Sequence, residues 1–166
     1  MQRGIEAVPG YLRLYVQKAY IEFFMLHQPL LAAETLRGTA NVPDAPVHLQ
    51  ALATRLYAQG GQFDQAEAFA REMAQSDDPE VRADFETRSK EIQLERVLVT
   101  VDKAAEQYRE ATGRVAGTVR ELVEAALLQS IPADPFGGAI ELRSDGAYST
   151  AYKGRLRAFV QVMQGE

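Results

Sequence analysis

Apolar positions recur at three- and four-residue steps through most of the chain, and the polar breakers between those runs divide it into helices. After Pro9-Gly10, the residues Leu12, Tyr15, Val16, Ala19, Phe23 and Leu26 trace one side of an amphipathic helix. Leu14, Tyr20 and Phe24 widen the stripe until the helix must pack on two sides or cover a partner. Pro29 opens a second helix, with Leu30, Ala33 and Leu36 inward and Gly38 as its stop. The turn-rich run from Asn41 to Pro46 leads to a third, carrying Leu49, Leu52, Ala53, Leu56 and Tyr57 and ended by Gly60-Gly61. Phe63, Ala66, Ala70 and Met73 define the inner side of a fourth, which stops at Ser76-Asp77-Asp78-Pro79. From Glu80 the period continues through Val81, Phe85, Ile92, Val97, Leu98, Val101, Ala105 and Tyr108 to Gly113, which predicts one long helix or two joined by a bend near Lys90 to Glu95. The alternating acids and bases on its other sides read as a solvated face.

The last third changes pattern. Thr118-Val119-Arg120-Glu121 has the capping-box spacing, and Leu122, Val123, Ala126 and Leu127 make the apolar face of a helix ended by Pro132. Ile140 and Leu142 then alternate with Glu141 and Arg143, Asp145-Gly146 suits a type I′ turn, and Tyr148 and Thr150 return as the second strand of a β-hairpin. Leu156, Phe159, Val160 and Met163 stand at helical spacing and predict a final short helix. The expected fold is mainly α, a short antiparallel helical stack closed by a long helix, with a small C-terminal hairpin. Residues 1–113 form the helical region and 114–166 the helix-plus-hairpin module.

Composition narrows the function classes. A net charge of −5 with dispersed lysines and arginines offers no field for a phosphate backbone, so nucleic acid is not an expected partner. The absence of cysteine removes disulfides, thiolate metal sites and thiol nucleophiles. The apolar run from Leu12 to Leu31 is broken by Arg13, Lys18, Glu22 and Pro29, so no membrane insertion is expected from this segment. His27 and His48 lack companions at ligand spacing and read as turn or surface residues. Asp77, Asp78 and Glu80 suit the start of the long helix, where carboxylates complement its dipole. Asp134-Pro135-Phe136-Gly137-Gly138 reads as turn chemistry: the carboxylate bonds a backbone donor, the proline presets φ and a glycine accepts positive φ. No catalytic residue, metal or cofactor is expected.

Two resemblances add to this. Tyr57, Gly61, Phe63 and Ala66 stand in the order and spacing of the tetratricopeptide repeat, over residues 47 to 79. Gln50 and Thr54 depart from its pattern, and Pro79 falls one position late; residues 10 to 43 resemble a degenerate second repeat. That likeness implies a concave surface built from the first helix of each pair, lined by Tyr11, Tyr15, Lys18, Glu22, Gln50, Arg55 and Gln59, and a protein or peptide partner. The run from Ile131 through Gly138 into the hairpin is similar to the Leu-Pro-x-Asp-Pro-Trp-Gly element of type II secretion major pseudopilins. In that light Asp134 and Asp145 are the two residues available toward calcium. The expected role is a non-catalytic interaction scaffold or assembly factor in a bacterial envelope or secretion system. The alternatives are a pseudopilin-like component and, behind it, a small-molecule-binding domain. Oligomeric state stays open, as does compartment: periplasm, with an anchor upstream of Met1, or cytoplasm.

Overall fold

A computed structural model describes residues 1–156 and is mainly helical with one two-stranded hairpin. The expected final helix through Phe159, Val160 and Met163 lies outside the described residues. The elements run α1 (Gln2–Ala7), α2 (Leu12–Tyr20), α3 (Pro29–Arg37), α4 (Val47–Gln59), α5 (Phe63–Met73), α6 (Pro79–Thr112), α7 (Val119–Glu124), β1 (Ile140–Arg143) and β2 (Gly146–Ser149). Contacts divide the chain into two compact units, Met1–Ser89 and Lys90–Glu166. The boundary between these units falls inside α6, because Leu94, Leu98, Val101 and Ala104 of that helix are core residues of the second unit.

In the first unit α2 packs on α3, α3 on α4 and α4 on α5. Small residues permit this: Ala32, Ala33, Ala53, Ala66 and Ala70 are completely buried, so neighbouring backbones approach closely. The α4–α5 turn closes with a Schellman motif, Gly61 N–H bonding Ala58 O at 3.0 Å and Gln62 N–H bonding Tyr57 O at 2.8 Å. Gly61 adopts φ +76, the left-handed conformation this motif demands.

The second unit surrounds Leu94, Leu98, Val101, Val119, Leu122, Ile140 and Ala147. The α6 helix is one continuous 34-residue element without a break near Lys90 to Glu95. At its start the Asp78 carboxylate accepts from the backbone of Glu80 at 2.8 Å, in line with the cap expected there. Thr118 caps α7 by accepting from Glu121 N–H at 3.3 Å. That helix ends at Glu124 and not at Pro132. A second Schellman motif stops it, with Leu127 N–H on Leu122 O and Ala126 N–H on Val123 O, both 2.9 Å, and Ala126 at φ +57. Leu122 and Leu127 meet the same core, the hydrophobic contact that accompanies such ends.

The hairpin pairs Ile140 with Ser149, Glu141 with Tyr148, Leu142 with Ala147 and Arg143 with Gly146. Its loop residues are Ser144 and Asp145, one position earlier than the type I′ reading requires. Asp145 has negative φ, while Gly146 at φ +124 already belongs to β2. Helix α6 accounts for that glycine: a Cβ there would fall 2.8 Å from Asp102 Oδ1.

Candidate functional site

The residues expected to line a partner surface do not share one environment. Tyr11 is exposed, and Tyr15, Lys18, Arg55 and Gln59 are half-buried, but Glu22 and Gln50 are buried. Glu22 accepts from Lys18, one turn before it, and from the Thr35 hydroxyl at 2.6 Å; Lys18 also donates to Thr35 at 2.6 Å. This triad ties α3 to the end of α2. A buried carboxylate keeps its charge at acceptable cost only when paired in this way. The Gln50 amide lies 3.2 Å from the Thr39 hydroxyl, and the Tyr15 ring covers Gly38 so closely that a Cβ there would sit 2.8 Å from it. These side chains hold the first unit together from within.

One outward face of the first unit is apolar. The α2 helix runs into a π-helical turn, Ile21–Met25, in which Leu26 N–H bonds Ile21 O at 3.0 Å. The wider turn rotates the following residues relative to an α-helix. Phe23 stays half-buried while Leu26, expected on the inner stripe, points to solvent, as does Val16. Val16 is 40% exposed, Tyr20 58%, Phe24 45%, Met25 67% and Leu26 53%. The Tyr20 and Phe24 rings lie 4.8 Å apart and those of Phe23 and Phe24 4.9 Å, so the aromatic part is contiguous. The signal was the girth of the apolar stripe, which the inward assignment of Val16 and Leu26 concealed.

A cleft of about 280 Å³ in the same unit is bordered by Glu34, Arg37, Asn41, Phe69 and Glu72. The Arg37 guanidinium stands 5.3 Å from the Phe69 ring centre and 3.4 Å from Glu72. Beside it, burial above all, reinforced by the Glu34 carboxylate and opposed by Arg37, pushes the Tyr57 phenol above its ordinary pKa.

The second unit directs several of its polar side chains inward. Asp134 Oδ1 accepts from Phe136 N–H at 2.8 Å and Oδ2 from the Ser149 hydroxyl at 2.6 Å, so the carboxylate fastens the loop to the end of β2. A Cβ at Gly138 would press within 2.7 Å of that carboxylate and of Ala151, and Gly137 takes φ +82; Pro135 and Phe136 sit between, with Phe136 stacked on Tyr152 at 4.2 Å. Part of α6 is also not the solvated face expected. Glu95 is buried against Arg155 at 3.2 Å and accepts from Leu156 N–H at 3.2 Å. Asp102 meets Arg155 at 3.3 Å and Ala147 N–H at 2.6 Å, and Tyr152 donates to Glu91. Sequence periodicity misses these acids because their partners lie more than 40 residues away.

A cleft of about 320 Å³ opens between the turn of the hairpin and α6, bordered by Asp102, Glu106, Arg109, Val115, Arg143 and Asp145. Among the described residues no group of three His, Asp or Glu side chains is placed to hold a metal ion, and His27, at φ +53, and His48 are both exposed. No helix among them is long and apolar enough to cross a membrane. No protein family, curated protein or solved structure matches the chain. The class that the fold defines is therefore a mainly helical protein with a C-terminal hairpin.

Proposed function

We propose that the protein is a non-catalytic protein–protein interaction scaffold or assembly factor built on tetratricopeptide-like helical pairs. The consecutive packing of α2 to α5 through buried alanines supports the repeat reading, as does the glycine turn between α4 and α5. The observation that carries the functional reading is the outward aromatic and aliphatic face of α2 and its π turn. Contiguous exposed apolar surface on a soluble domain marks a place where another molecule binds, and aromatic residues with methionine are enriched at such contacts. The bacterial envelope or secretion setting draws on the likeness of residues 131–150 to the pseudopilin element. The loop at Asp134 leading into an antiparallel hairpin favours a pseudopilin-like component as the second reading.

The test is photo-crosslinking in the source cells, with a benzophenone amino acid at Tyr20 or Phe24 and, as a control, at the exposed Thr100. A protein adduct specific to the α2 positions is expected. Absence of an adduct at both positions would overturn the scaffold reading.

A further inference from the structure

The partner of the α2 face can be specified further, on the footing of the scaffold reading above. In a stack of helices each inner element is covered on both sides, and the terminal one needs a polar outer face to remain soluble alone. Here α2 heads the row α2–α3–α4–α5, and α1, six residues with none buried, leaves Tyr20 and Phe24 open. The outer face of α2 thus has the composition of an internal helix contact.

Charge narrows the occupant. Between Tyr11 and Gln28 the sole acid is Glu22, and it is turned inward against Lys18 and Thr35. The net charge of −5 opposes association of two copies through most of their surface, but this face presents no carboxylate to its own image. Size agrees as well. With about 150–250 Å² per aromatic side chain and somewhat less for the aliphatic ones, the exposed fractions sum to roughly 500 Å² of apolar surface. Two such faces bury about 1,000 Å², the range at which specific interfaces begin.

We infer that the α2 face, centred on Tyr20 and Phe24, binds a second copy of this chain in an isologous two-fold dimer. Each copy then supplies the helix that continues the other's stack. The aromatic rings lie near the axis, and the rim is formed by Arg13 and Gln17. In such an interface a residue near the axis meets its own counterpart.

Sedimentation equilibrium of the full chain tests this. The expected result is twice the chain mass, falling to the single mass in the double variant Tyr20→Glu with Phe24→Glu, while helical dichroism persists. Should that variant lose its fold, Gln17→Cys, which leaves both rings in place, settles the matter: the chain has no other cysteine, so a long-spacer bismaleimide can yield a covalent dimer through this exposed position. Thr100→Cys should not form one. A wild-type chain monomeric at tens of micromolar, or a folded double variant that remains dimeric, would overturn the proposal, as would a Gln17→Cys chain that fails to couple. The photo-adduct separates the two readings. An adduct to a different protein in a monomeric chain leaves the scaffold standing and removes self-association, whereas a monomer without any adduct removes both.

Discussion

Ala126 occupies a backbone conformation that an L-residue enters at a cost of about 1–2 kcal/mol, because its Cβ crowds the following carbonyl. It does so because the Schellman motif ending α7 requires a left-handed residue there, and the side chain itself is exposed. Ala126→Gly should therefore stabilise the protein by about 1 kcal/mol, read as a higher urea midpoint at unchanged slope. Tyr57 makes a different prediction. Its phenol is harder to ionise folded than unfolded, so folding favours the neutral form. That contribution is fully present below about pH 10 and lost as pH rises through the folded value. Tyr57→Phe, compared with the parent in urea titrations at alkaline pH, should lose stability less steeply above pH 10.

Among the elements, the hairpin depends most on its surroundings. Two strands of four residues are marginal alone, and this pair is held because Ile140 and Ala147 enter the core while Asp102 of α6 accepts from Ala147 N–H. Gly146→Val should push a side chain into that carboxylate and force positive φ on a β-branched residue. Amides near Ile140 and Tyr148 are expected to lose hydrogen-exchange protection while the helical dichroism of the first unit stays. Unchanged protection would mean that the strand tolerates the clash by moving away from α6.

At the scale of the whole molecule, each of the two units spends its internal polar groups on its own closure. In one, Lys18, Glu22 and Thr35 satisfy each other; in the other, Asp134 serves Phe136 and Ser149 while Arg155 bridges Glu95 and Asp102. Both Asp134 oxygens already hold a donor, and calcium wants about six to eight oxygens. Adding calcium or a strong chelator should therefore leave the melting temperature unchanged. A calcium-dependent rise, abolished by Asp134→Asn, would instead favour the pseudopilin-like alternative.

Local pattern by itself determined where α3 to α6 begin and stop and where α7 begins: apolar spacing names the stripes, glycine and proline punctuate them, and Asp78 and Thr118 act on backbone donors two or three residues away. Alternation likewise named the faces of β1, with Ile140 in and Glu141 and Arg143 out. Those features depend on contacts within a few residues, which a sequence displays directly. The early end of α7 and the turn one residue before Gly146 were decided by packing, since the core claims Leu127 and α6 leaves no room for a Cβ beside Asp102. Tertiary structure also decided the fate of the charges and of the surplus apolar residues. Glu22, Glu95 and Asp102 turned inward because distant partners await them, and Phe24, Met25 and Leu26, in and just after the π turn, stayed exposed to solvent. Hydrophobic spacing says that a side chain seeks cover; only the assembled neighbours decide whether the same chain provides it.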